Sequence, residues 1–370
     1  MSRAKCADTD YAYGMKYDPF ARGQYPVGVR SLVSRDAEHG DRELPLELWY
    51  PAHSRHVGQD LSSQTQDRYA VFGAMQVTQS AVRDADPSPG AFPLVVFSHG
   101  MAGHRRQSTF FCTHLASHGY AVASVDHGGS TIADLVTMAM RVKARELPPD
   151  LEPVLAGYVA HRPEDMNAII ALSASGALPW PVTLDLEAGV GVSGHSFGGF
   201  TALVVAARNP RVRACAALAP AGGAGPLSSE LLTRELRLDL PPHVATLYLG
   251  LERDSLLPIA GIEALFRRTT PPARMFTLPN SDHMHFCDRA ESAHEFFRSV
   301  PRFGLFAEIL TGLPAFADLV PAAHGYDFAN AVGLAHLDAS LKHSAEAKQF
   351  IEDAVEAFAA RDIMIRAVQR

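Results

Sequence analysis

The chain has 370 residues, 47% of them hydrophobic and 20% charged, with a formal net charge of −7. That is ample apolar material for a large core, and the acidic balance argues against a nucleic-acid partner, which would call for a basic face. The start, Met1-Ser2-Arg3-Ala4-Lys5-Cys6, has no apolar h-region and no run reaches bilayer-spanning length, so no membrane span and a cytoplasmic location are expected unless a leader has been removed. Cys6, Cys112, Cys215 and Cys287 are scattered without C-x-x-C spacing, which predicts buried free thiols rather than a disulfide framework or a zinc site.

Residues 1–24 are polar and aromatic without period and are expected to wrap the surface. Val27 to Val33 and Leu44 to Tyr50 read as an antiparallel hairpin joined by the charged turn Asp36 to Asp41 at a sheet edge. Residues 51–92 form a polar excursion with one expected helix near Gln66 to Val82. From there strands and helices alternate. Pro93-Leu94-Val95-Val96-Phe97 has the continuous apolar texture of a strand covered on both faces, and it ends in Ser98-His99-Gly100-Met101-Ala102-Gly103. A helix from about Gln107 to His118, a strand from Ala121 to Val125, and helices over Ile132 to Val142 and Pro163 to Ser175 follow. The strand Val190-Gly191-Val192-Ser193 then runs into Gly194-His195-Ser196-Phe197-Gly198-Gly199 and an apolar helix. Beyond it come strands over Val212 to Leu218, Val244 to Gly250 and, last, Met275 to Leu278, with a helix over Pro258 to Arg268. Residues 301–370 are helical in pattern and end in a long amphipathic stretch, Ser344 to Val368; packing on the sheet is the expected role and homo-oligomerisation the alternative. The alternation predicts a mostly parallel, doubly wound α/β sheet in a single domain.

Gly194-His195-Ser196-Phe197-Gly198 fits the G-x-S-x-G elbow, in which a serine sits at a strained strand-to-helix turn with its hydroxyl above the sheet. A serine hydroxyl needs a base to take its proton, and the base needs a partner to hold its tautomer. Candidates for both occur in the order serine, acid, histidine, each after a strand. Asp254 lies in Leu251-Glu252-Arg253-Asp254-Ser255-Leu256-Leu257-Pro258, with Glu252 as the competing acid. His283 lies in Asn280-Ser281-Asp282-His283-Met284-His285, with His285 as the competing base. Read as metal ligands, His283 and His285 find no third partner at useful spacing, so no metal is expected. Donors to a developing oxyanion are expected from the backbone amides of Phe197, after the nucleophile, and Met101, in the loop after the first buried strand. His99 is read as a structural hydrogen-bonder and His195 as packing beneath the loop. Arg105 and Arg106 are read as the exposed first turn of a helix, with an anionic substrate group as the alternative; Trp180 with Pro179 and Pro181, and Phe110 with Phe111, either wall a pocket or pack.

Phe97-Ser98-His99-Gly100-Met101, Leu115-Ala116-Ser117-His118-Gly119-Tyr120-Ala121-Val122-Ala123, Asp126-His127 and Gly194-His195-Ser196-Phe197-Gly198-Gly199 together resemble the plasma-type platelet-activating-factor acetylhydrolase and dienelactone-hydrolase-like branch of the α/β-hydrolase superfamily. The resemblance covers roughly residues 20–300 and implies hydrolysis of carboxylic esters by a Ser-His-Asp triad without metal or other cofactor. One departure matters. Plasma-type acetylhydrolases place their acid directly after the strand that follows the elbow helix, where this chain has Leu218-Ala219-Pro220; Asp254 resembles the placement in dienelactone-hydrolase-like members, and Ser196 excludes the cysteine elbow of dienelactone hydrolases proper.

The expectation is therefore an α/β-hydrolase fold with a core over about 25–300, partial cap segments over about 128–182 and 219–242 and a helical extension over 301–370. Its function is expected to be hydrolysis of a small or medium acyl ester, a small-molecule substrate, through an acyl-enzyme on Ser196. The alternatives are an amidase, thioesterase or lactonase with the same triad, an acyltransferase, or a catalytically silent binding protein.

Overall fold

The computed structural model describes residues 17–36, 40–71, 75–146, 152–225, 229–299 and 313–369. Cys6, most of residues 1–24, the tip of the Asp36 to Asp41 turn and the first residues of the 301–370 extension lie outside the described residues. The elements in chain order are β1 (Val27–Asp36), β2 (Arg42–Pro51), β3 (Asp67–Val71), β4 (Met75–Gln79), β5 (Val82–Arg83), β6 (Ala91–Ser98), α1 (Thr109–Ser117), β7 (Ala121–Val125), α2 (Ile132–Lys143), α3 (Glu152–Ala174) and β8 (Thr183–His195). They continue with α4 (Phe197–Arg208), β9 (Val212–Leu218), α5 (Glu230–Glu235), β10 (Ala245–Leu251), α6 (Ile259–Arg268), β11 (Ala273–Leu278), α7 (Ala290–Ser299), α8 (Ala322–Leu341), α9 (Ala345–Glu352), α10 (Ala354–Ala359) and β12 (Arg366–Ala367).

The main sheet has 10 strands in the order β12-β11-β10-β9-β8-β6-β7-β2-β1-β5. From β11 to β7 every neighbouring pair is parallel, while β2, β1 and β12 join antiparallel to their inner neighbours. The inner strands are apolar because helices cover both faces: Leu94, Val95 and Val96 of β6 and Val122 and Ala123 of β7 are fully buried. In strand order β6 lies between β8 and β7, so the connections leaving the ends of β6 and β8 diverge to opposite sides. Such a switch point leaves a crevice at the carboxyl ends of the strands. Ser98 at the end of β6 stands in register with Gly194 of β8, which brings the loop after Ser98 alongside the elbow.

Three stretches differ from the sequence reading. Gln66 to Val82 is the antiparallel pair β3–β4, not a helix. Its inward side carries Asp67, Tyr69 and Gln79, and Gln79 Nε2 donates to Asp67 Oδ2 at 2.7 Å while Trp49 Nε1 donates to Gln79 Oε1 at 2.7 Å. Polar residues facing inward disguise the period of two. Second, α3 begins at Glu152 and passes through Pro163, because Tyr158 and Val159 before it and Met166, Ile169 and Ile170 after it are all buried on one side. That helix packs on α4 and the sheet, so this part of 128–182 belongs to the core layer rather than to a cap. Third, Ser344 to Val368 is not one helix: it breaks at Asp353 into α9 and α10, and then Ile363 and Ile365 alternate inward towards the edge strand β12, which makes β12, not Met275 to Leu278, the last strand. The tail packs on its own chain, with α8 burying Phe328, Val332, Leu334 and Leu337 against the sheet. Among the described residues, no helix is long and apolar enough to cross a membrane.

Candidate active site

Ser196 occupies the turn between β8 and α4 with φ 61 and ψ −121. This is left-handed backbone that a residue with a Cβ adopts only under constraint, at a cost of about 1–3 kcal/mol. The constraint is visible at the flanking glycines. A Cβ on Gly198 would lie 1.9 Å from the Ser98 carbonyl oxygen, and one on Gly194 would lie 2.3 Å from the Gly198 carbonyl oxygen. Both clashes are with backbone, which cannot rotate away. Gly198→Ala should therefore destabilise the fold by about 3 kcal/mol or more, read as a lower urea midpoint, whereas Gly157→Ala, where a Cβ meets nothing within 4 Å, should be neutral or stabilising by about 0.5–1 kcal/mol. Equal midpoints for the two variants would refute a close-packed elbow.

Phe197 is the first residue of α4, so its N–H is one of the helix amides without an intrahelical acceptor and is available to an anion. The neighbouring loop carries Met101. A Cβ on Gly100 would lie 3.3 Å from Ser196 Cβ, which places this loop against the nucleophile candidate. Gln107 bridges the two segments: its Oε1 accepts from Gly100 N–H at 3.0 Å and its Nε2 donates to His195 Nδ1 at 2.8 Å. His195 is buried, as expected, and its ring lies 4.4 Å from the ring of His283. The elbow, the loop and His283 thus share one locality.

His283 Nδ1 lies 2.7 Å from Asp254 Oδ2. A carboxylate can only accept, so the neutral ring is protonated at Nδ1 and its Nε2 is free to take a proton. Asp254 is itself fixed: Oδ1 accepts from the Leu256 and Leu257 amides at 2.9 and 2.7 Å. Burial by itself would lower the His283 pKa, but the adjacent Asp254 charge and hydrogen bond, with Asp282 behind them, outweigh it and hold it above the usual histidine value. Asp282 is buried and was not singled out from the sequence; it accepts from the His283 backbone N–H at 2.6 Å and from Ser255 Oγ at 2.6 Å. Burial, and then the charge of Asp254, raise its pKa.

The competing residues are occupied elsewhere. Glu252 accepts from the Asn280 amide at 2.9 Å and pairs with Arg366. His285 Nε2 bonds the Val320 carbonyl at 2.9 Å and its Nδ1 bonds the backbone of Asp282. Arg105 and Arg106 are not an exposed helical turn, since α1 starts at Thr109 and both are held inward: the Arg105 amide donates to Asp126 at 2.6 Å and Arg106 donates to the fully buried Glu47 at 2.9 Å. Trp180 donates to Ser173 Oγ at 3.0 Å and packs near Phe92 and Val182 at the opposite end of the strands, while Phe111 is core and the Phe110 ring lies tilted against Tyr326. Cys112, Cys215 and Cys287 are buried free thiols.

A mostly parallel sheet with a strained serine elbow at its switch point and an Asp-paired histidine beside it defines an α/β-hydrolase fold. Within that fold the chain is similar to platelet-activating factor acetylhydrolases over part of its length. A family model described as platelet-activating factor acetylhydrolase, isoform II, matches residues 14–150, a segment that includes β6 and the Met101 loop and ends before the elbow. The chain is 28% identical to the platelet-activating factor acetylhydrolase of Gallus gallus over 125 residues, 30% of each chain, and 28% identical to that of Bos taurus over 254 residues, 55% of each. It thus spans about half or less of the curated relatives it matches. A solved ferulic acid esterase from Streptomyces cinnamoneus superposes with a TM-score of 0.60 at 26% identity, covering 88% of this chain and 93% of that one.

Proposed function

We propose that this protein is a serine esterase that cleaves a carboxylic ester of a small or medium acyl group through an acyl-enzyme on Ser196. The observation that carries the reading is the pairing of a strained Ser196 at φ 61 with the Asp254–His283 contact of 2.7 Å beside it. In this reading Ser196 Oγ attacks the ester carbonyl while His283 Nε2 takes its proton. The oxygen that becomes negative is met by the amides of Met101 and Phe197, each worth roughly 2.7–4 kcal/mol. His283 then protonates the departing alcohol, and a water deprotonated by the same ring releases the acid. Tyr158, whose ring stands edge-on to Phe197 at 6.0 Å, is placed to border the acyl group.

The acid follows β10 rather than β9, where the residues are Ala219 and Pro220, and this placement supports kinship with dienelactone-hydrolase-like esterases rather than phospholipid specificity. The curated relatives are named for an acetyl ester and the structural neighbour for ferulic acid, so short acyl and aromatic esters are the first substrates to try. A cytoplasmic location is part of this reading, supported by the buried unpaired thiols.

The test is hydrolysis of p-nitrophenyl esters from acetate to decanoate, with fluorophosphonate labelling mapped by peptide mass. Turnover with an optimum at short or medium chains and a label on Ser196 is the expected result. A label without ester turnover would shift the reading to an amidase, thioesterase or lactonase. Product partition towards added alcohol would mark an acyltransferase. Neither label nor turnover in folded protein would mean a silent scaffold.

A further inference from the structure

Arg162, on α3, is 1% exposed, yet among the described residues its guanidinium donates only to uncharged oxygens: the His99 carbonyl, Ser98 Oγ at 3.3 Å and Ser130 Oγ at 3.0 Å. Its carbon also lies 5.0 Å over the centre of the Phe197 ring. Burying a cation without a bonded carboxylate is costly, and a fold can replace it by apolar residues with little or no loss. Every contact, however, bears on the two segments that carry the oxyanion donors. Ser98 and His99 lead into Met101; the Ser130 carbonyl accepts from the Ala102 amide at 3.0 Å; Phe197 is the other donor residue.

A second set of bonds fixes the same loop. Asp165 accepts from Arg42 at 2.8 Å and from His127 Nδ1 at 2.9 Å. With its Nδ1 proton committed, His127 accepts at Nε2 from Ser98 Oγ at 2.8 Å, which leaves that oxygen's lone pairs to Arg162. The His127 amide donates to His99 Nε2 at 3.2 Å, so His99 carries its proton on Nδ1 and gives it to the Gly100 carbonyl at 2.6 Å. The Gly103 amide donates to that carbonyl as well, at 3.1 Å. The Gly100 carbonyl and the Met101 N–H belong to one peptide group, and loading the oxygen with donors polarises the N–H on the other side. This arrangement resembles a Ser-His-Asp triad in its bonds, but Ser98 and His127 are completely buried and cannot meet a substrate.

We propose that Arg162 is a positioning residue for the oxyanion hole: it braces the His99 to Met101 loop and Phe197 from behind, held in place by the chain that runs from the half-buried Arg42 through the buried Asp165, His127 and Ser98. The proposal rests on the esterase reading of Ser196. Its test uses the full chain, a p-nitrophenyl ester, a trifluoromethyl ketone that forms a charged adduct on the serine, and amide hydrogen exchange. Arg162→Met should lower kcat by about 10- to 100-fold with little change in KM. It should weaken the ketone by the same factor as kcat/KM falls and speed exchange in residues 99–103. Arg162→Lys should recover part of each.

If the methionine variant does not fold, Arg162→Gln, which keeps a donor and drops the charge, is read in the same way. A folded variant with unchanged kcat, unchanged ketone affinity and unchanged loop exchange would overturn the proposal. So would losses that track only the fraction unfolded. Should the wild type hydrolyse no ester, the esterase reading fails by itself, and loop exchange then decides: acceleration in Arg162→Met upholds the bracing, and no change rejects it.

Discussion

Ser196→Ala should abolish ester hydrolysis, by a factor on the order of 10⁴–10⁶ in kcat, while leaving the urea midpoint where it was. The two expectations have separate origins. Activity is lost because the attacking oxygen is gone and no neighbouring nucleophile replaces it: Cys287 near the site is buried, and burial pushes its thiol well above the usual value, so it stays protonated. Stability is kept because serine and alanine both carry a Cβ, so the strain at φ 61 is common to the two proteins and cancels. The comparison needs only the p-nitrophenyl assay and an unfolding curve. Residual activity within tenfold of wild type would move the nucleophile away from Ser196.

Asp254→Asn should cost about 10⁴ in kcat at neutral pH, and the cause is the wrong tautomer rather than a missing contact. The Leu256 and Leu257 amides both donate to Oδ1, so the asparagine oxygen is drawn to that side and its NH₂ group faces His283. Two donors cannot face each other, so His283 must present a bare Nδ1 and carry its proton on Nε2, where it cannot accept one from the serine. The pH profile should move as well. His283 must be neutral to act as base, so kcat/KM rises as the ring loses its proton. Because the carboxylate outweighs burial and holds the His283 pKa above the usual value, that rise is displaced to higher pH than an ordinary histidine would give in the wild type. With the charge removed, burial is left dominant and the rise should shift to lower pH. Glu252→Gln is the control: that side chain is committed to Arg366 and the Asn280 amide, and activity should stay near wild type. A profile that does not move in Asp254→Asn, or a large loss in Glu252→Gln, would assign the acid elsewhere.

The alternation of apolar strands and helices, the glycines around Ser196 and the order of Asp254 and His283 after two later strands are local patterns, so fold class and the candidate constellation were legible in the sequence. They are readable because each reflects a short-range rule: a strand covered on both faces is continuously apolar, and a turn with no room for a Cβ takes glycine. The choices between near neighbours were not. Glu252 and Asp254 stand two residues apart, and only the chain folded back through β11 places His283 at one of them and Arg366 at the other. The same holds for His283 against His285, and for Arg105 and Arg106, whose partners come from the middle of β2 (Glu47) and from just past the end of β7 (Asp126).

Arg162 carried a faint signal: it shares a helical face with the buried Met166, Ile169 and Ile170, an unusual phase for an arginine. Gln107 and Asp282 carried none, because a polar side chain in a loop has no period to break. The sequence by itself determined the apolar inner strands of the parallel sheet, which serine sits on the sharp turn and which residue types surround the site, but not the polar-faced pair β3–β4 or the edge strand β12. The tertiary structure alone decided which carboxylate meets which imidazole and what holds the Met101 loop. Hydrophobic periodicity repeats along the chain and can be read from one dimension, whereas hydrogen-bond partners depend on positions within a few tenths of an ångström between residues dozens of positions apart.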